Sequence, residues 1–210
     1  MKKACCSHWQ GLARTCLRRN EPDKAYEALQ EAIALDHSCA WTMILAAVLA
    51  RDRGHIKHAK ILLSRAAANP DTEDQTVRES DPKLIEERAI ANILVSNLHR
   101  EELDEKNAQF ATLEAQRLAK RIKSSLPGDV VHLVAAERFA ESANQGVAQK
   151  MLAQYLASIK PEHPIPGQAL LLKSKLEMWR GELEAALNTG NDRDFYTKML
   201  YFLIQQTYVS

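Results

Sequence analysis

Asp23-Lys24-Ala25-Tyr26-Glu27-Ala28-Leu29-Gln30-Glu31-Ala32-Ile33-Ala34-Leu35 is the stretch that decides the fold. Ala25, Leu29 and Ala32 stand four and three residues apart, so they share one face of an α-helix. Residues 57–69 carry the same small–Leu–small face as Ala59, Leu63 and Ala66, each offset by 34 positions from its counterpart. A fixed period of this size predicts a stack of helix pairs, in which each pair buries the face its neighbour leaves open. Ala25 and Ala59 let two antiparallel helices approach closely, and a large side chain there would wedge them apart.

Working outward, His8-Trp9-Gln10-Gly11-Leu12-Ala13 reads as the preceding helix of the first pair, with Trp9, Leu12 and Ala13 as its aromatic, leucine and small residues. Met43, Ala46 and Ala47 are the matching sites of the second pair. The pattern returns in weaker form at Val131–Phe139, with Ala135, Ala136 and Phe139 on one face, followed by Ala148, Leu152, Tyr155 and Pro161. Over residues 6–70 the chain resembles the tetratricopeptide repeat family, whose period is about 34 residues. It departs from that pattern at Cys16, where Tyr is usual, and at His37, where a closing Pro is usual. The resemblance implies an all-α, right-handed solenoid of antiparallel helix pairs, distorted in the middle. Between 71 and 128 the repeat register is lost while helical periodicity persists.

The expected organisation is one helical domain over 1–210: two clear repeats at 6–70, an irregular helical pair at 71–128, a weaker repeat at 129–162 and C-terminal helices at 163–210. The punctuation predicts helices at 6–19, 22–35, 38–53, 56–68, 82–99, 104–125, 129–142, 145–159, 166–180, 182–189 and 192–208. Pro22 and Pro82 suit first helical positions, and Ser38, Asp81 and Asp129 are expected N-caps. Asn69–Ser80 reads as a polar, largely acidic loop.

Hydrophobic residues make up 46% of the chain, enough for a packed core. Lys and Arg total 28 against 27 Asp and Glu, so the net basic excess of a dedicated nucleic-acid binder is missing. A helical-repeat nucleic-acid binder therefore stands second to a protein-binding array. No apolar run has the length of a membrane-spanning helix, and the chain is expected to be cytoplasmic.

No phosphate-binding glycine loop or nucleophile motif is present, so no enzyme and no cofactor are expected. Cys5, Cys6, His8 and Cys16 have ligand chemistry that zinc accepts, but their spacing fits no usual zinc site. A small metal-binding or enzymatic helical domain is thus the third reading. Glu86-Glu87 and Glu101-Glu102 read as solvated faces of long helices, and His55 with His58 as a polar turn.

The family's concave side is lined by the first helix of each pair. In this register Gln10, Arg14, Leu17 and Arg18, then Trp41, Ile44, Val48 and Arg51, face away from the core. Gln10, Arg14, Arg18, Trp41 and Arg51 are the expected partner-binding residues, suited to a peptide or helix with acidic and apolar groups. The family's clamp for acidic chaperone tails uses Lys and Asn, whereas Gln10, Arg14 and Leu45 occupy those sites here. Chaperone-tail binding is not expected. At the C-terminus, Phe195, Met199, Phe202 and Leu203 form one apolar helical face, with Tyr196, Leu200, Ile204 and Tyr208 beside it. Such a helix seeks contacts on more than one side. It is the expected interface with a second copy or with further repeats of a longer parent chain.

Overall fold

The structure is a computed structural model that describes residues 2–36, 38–68, 81–121 and 128–182, together with Ala185 and Thr189. Among the described residues the secondary structure is entirely helical. The helices are α1 (Lys2–Arg18), α2 (Pro22–Leu35), α3 (Ala40–Asp52), α4 (Ile56–Ala67), α5 (Pro82–Glu101), α6 (Glu105–Ala119), α7 (Val130–Glu141), α8 (Gln145–Ser158) and α9 (Gly167–Trp179). α1 packs on α2, α3 on α4, α5 on α6 and α7 on α8, while α2–α3 and α4–α5 contacts join successive pairs. The architecture is a stack of helix pairs.

One turn, used five times among the described residues, sets the register. After each first helix the chain enters the left-handed region at a single residue: Asn20, Gly54, Leu103, Ala143 and Gly181, with φ between 57° and 79°. The next residue's N–H then donates back to a carbonyl five residues earlier, as Glu21 to Cys16 at 2.9 Å, His55 to Ala50 at 2.9 Å and Asp104 to His99 at 2.8 Å. Asn144 to Phe139 and Glu182 to Glu177 repeat it at 2.9 and 3.0 Å. This closure satisfies carbonyls that a helix end would otherwise orphan. The turn after α9 has the same form, but the helices expected at 182–189 and 192–208 lie outside the described residues, Glu182, Ala185 and Thr189 excepted.

Counting from the left-handed residue shows what the middle of the sequence conceals. Seven residues before it stand Ala13, Ala47, Ser96, Ala136 and Ser174, each at most 1% exposed. Five residues after it stand Ala25, Ala59, Ala108 and Ala148, all fully buried. Small residues therefore mark the close approach of the two helices in every complete pair. The third pair keeps this spacing about its own turn, although the 34-residue period is lost before it. Its extra length lies partly in α5, which has 20 residues against 13 in α3, and partly between the pairs. The helix expected at 104–125 ends at Ala119.

Neighbouring pairs are tied by the residue just before the turn glycine or its equivalent. Arg53 stacks on Tyr26 at 4.3 Å from the ring centroid and donates through Nε to Asp23 at 3.0 Å. Glu102, in the next pair, accepts from Lys60 of α4 at 2.7 Å. Asp81 and Asp129 cap α5 and α7 as expected, accepting from the N–H of Lys83 and Val131. Ser38 does not cap α3. Its N–H and hydroxyl both donate to Asp36, and Cys39 occupies the cap position without a side-chain bond to the backbone N–H groups of the first turn.

The main departure from a simple stack is α7, which packs more on α5 than on α6. The inner surface of the first helices is consequently filled by the chain itself. Ile44, Val48, Ile93 and Leu133 are all buried. The expectation that Ile44 and Val48 line an open groove is corrected on this point. α3 is apolar on every side from Met43 to Ala50, and such a helix belongs in a core.

Candidate functional site

The five residues expected to bind a partner divide into two groups. Arg14 and Arg18 are exposed, one helical turn apart on α1. Neither makes an ion pair with the described residues. Gln10, one turn further back, is half-buried and spans α1 and α3. Its Nε2 donates to the Thr42 hydroxyl at 2.6 Å and to Cys39 Sγ at 3.1 Å. Thr42 is fully buried, so this amide provides the polar partner that the hydroxyl requires.

Trp41 and Arg51 are engaged within the array. Trp41 Nε1 donates to Ser142 Oγ at 3.1 Å, across 101 residues of sequence. Its ring tilts against Phe139, with centroids 5.3 Å apart, and lies beneath the Arg138 guanidinium at 4.8 Å. Arg51 pairs with Glu101 of α5. The structure therefore brings Gln10, Arg14 and Arg18 onto one open helix and places Trp41 in an internal seam between α3 and α7.

That seam holds the group that sequence reasoning misplaced. Glu87 is 6% exposed rather than part of a solvated acidic pair. Its carboxylate accepts from Arg138 Nη2 at 3.0 Å and feels the backbone N–H of Trp41 in the first turn of α3, which favours its charged form. Glu87 thus faces the start of α3 from α5, where a negative charge suits the helix dipole. Burial pushes its pKa above the ordinary carboxylate value, and Arg138 and Lys83 oppose that shift. The signal available in the sequence was Arg138 beside Phe139 on a largely apolar helix.

Among the described residues, no group of three or more His, Cys, Asp or Glu is placed to hold a metal ion. Cys16 is buried and Cys39 half-buried, both as free thiols. No described helix is long and apolar enough to cross a membrane. Phe195, Met199, Phe202 and Leu203 lie outside the described residues.

No family model and no curated protein matches the chain. Among solved structures it is similar to a thermophilic TPR protein of Thermus thermophilus, at 15% identity and a TM-score of 0.44. That match covers 95% of this chain and 99% of the other. It is also similar to pilF of Pseudomonas aeruginosa, at 16% identity and a TM-score of 0.32, covering 90% of each chain.

Proposed function

We propose that the chain is a non-catalytic protein-interaction array, and that α1 presents its partner-binding surface. One contrast carries this reading. Ten residues before the turn, the first helices of pairs two to four bury Ile44, Ile93 and Leu133, whereas α1 has half-buried Gln10. Six residues before it, α1 has exposed Arg14, where α3 buries Val48. Arg18 extends the cationic surface by one turn. Leu17 is half-buried beside them and Leu12 is 41% exposed, giving apolar contact next to charge. An acidic segment with interspersed apolar residues is the chemistry that such a face suits.

Trp41 and Arg51 support this surface from within rather than touching the partner. Their ties to Ser142, Arg138 and Glu101 hold α3 in place behind α1. The test is affinity capture with the intact chain and with an Arg14→Glu/Arg18→Glu variant, the retained proteins being identified by mass spectrometry. A specific protein held by the native chain should be lost from the variant, whose thermal melt should be unchanged because both residues are exposed. Equal capture by both chains would remove this surface.

A further inference from the structure

Two successive second helices carry opposite charge at equivalent places. On α2, Asp23, Glu27 and Glu31 recur every four residues and are all exposed. On α4, the positions 34 residues later are Lys57, Ile61 and Arg65, also all exposed. Glu27, Glu31, Lys57 and Arg65 make no ion pair with the described residues, and Asp23 remains 84% exposed despite its bond to Arg53. Ile61 is 52% exposed in the middle of the basic stripe, and Leu35 is 39% exposed at the end of the acidic one. The α4 face lines a shallow cleft of about 600 Å³.

The contact between Arg53 and Asp23 sets the starts of α4 and α2 at the same end of the stack. The two stripes therefore run in the same direction, each on the outer side of its pair. A two-fold axis parallel to the helices and midway between them would lay α2 of one copy over α4 of the other. The same rotation would lay α4 over α2. Equivalent positions then meet, Asp23 opposite Lys57 and Glu31 opposite Arg65, each twice. Ile61 lies between these pairs and meets the methylene stem of Glu27.

We propose that the outer faces of α2 and α4 form a self-complementary surface through which two copies of this chain associate. Self-complementarity of one patch is what a two-fold interface requires. Two faces of helices some 20 Å long make a small and largely charged contact. The association should therefore be weak and sensitive to salt.

The test is sedimentation equilibrium of the full chain over a range of concentrations, at ionic strengths of about 0.05 M and about 0.5 M. A dimer should form at low salt and weaken by roughly tenfold or more at high salt. The variants Glu27→Lys/Glu31→Lys and Ile61→Glu/Arg65→Glu should each be monomeric, while an equimolar mixture of the two should dimerise. Circular dichroism should match the native spectrum for both. If either variant is misfolded, Lys57→Gln/Arg65→Gln replaces it and should weaken the native dimer. A native chain that is monomeric throughout would overturn the proposal and leave the stripes to an external partner. A dimer indifferent to all the variants, or a mixture that stays monomeric, would overturn it equally. Arg14→Glu/Arg18→Glu should leave the dimer unchanged, so failure here is separable from failure of the α1 surface.

Discussion

The second and third helix pairs solve one packing problem with different residues. In the second, Ala59, Leu63 and Ala66 form a dry contact, each at most 3% exposed. In the third, the equivalent sites are Ala108, Thr112 and Ala115. Thr112 Oγ1 lies 2.8 Å from Ser96 Oγ, and Ser96 Oγ donates to the Ala108 carbonyl at 2.9 Å. Small residues at the point of closest approach are common to both. The residue one turn further on is free to be apolar or hydrogen-bonded. Pair geometry is therefore specified by the turn and by the small residues, and the remaining positions adjust the strength of closure.

The largest expected difference between the two pairs is at that adjustable site. Leu63→Ala should cost about 2–5 kcal/mol, the range for truncating a well-packed leucine. Thr112→Val should cost only about 1 kcal/mol, because it removes hydrogen-bonding groups and keeps the volume. Urea melts of the two variants would measure this. Equal losses would mean that the polar closure is worth as much as the apolar one.

The shared element should behave alike in both pairs. Ala59→Trp and Ala108→Trp each place a large side chain at a fully buried site. Each should lose about 1–3 kcal/mol by overpacking, or more where the helices cannot separate. Tolerance of Trp at one site alone would show that the third pair is not held by the same close approach.

The turns sharpen the comparison further. Gly54 and Leu103 hold the same left-handed position, at φ of 79° and 60°. A leucine meets a steric penalty there that glycine does not. Leu103 is also 91% exposed, so its side chain contributes little packing in return. Leu103→Gly should stabilise the chain by about 1 kcal/mol and Gly54→Leu should destabilise it by a similar amount, both measurable by thermal melting.

The first two pairs are legible in the sequence because small and leucine side chains recur there at a constant 34 residues. The third is not. Ser96 and Thr112 replace apolar residues, and a leucine stands where glycine or asparagine signals the turn. The spacing from Ala47 to Ser96 is 49 residues, which breaks the 34-residue period. Sequence alone extends the sixth helix to 125 because Lys120 and Arg121 are good helix formers with no breaker before Pro127. The candidate site is legible only in part. Arg14 and Arg18 follow from helical periodicity alone. The burial of Trp41 depends on α7, 101 residues away at Ser142, and local patterning carries no information about that contact.

The smallest expected effect is electrostatic. Among its buried residues α3 carries no charged group, while α5 buries Glu87. Desolvation raises the Glu87 pKa above its ordinary 4.5 in spite of Arg138. The folded state therefore binds this proton more tightly than the unfolded chain does. The associated stability is fully present below the ordinary value and is lost as pH rises through the raised one. Glu87→Gln removes that titration. Its constant cost, from the weakened Arg138 partnership, shifts the whole curve without tilting it. Denaturant melts of the native chain and of Glu87→Gln, taken from about pH 4 to pH 7, should show the native chain losing stability relative to the variant as pH rises. Thr42→Val, a buried polar change in the second pair, should leave the native slope intact. A slope of the opposite sign would mean that Arg138 and the Trp41 N–H outweigh burial, making the third pair's charge a stabilising element.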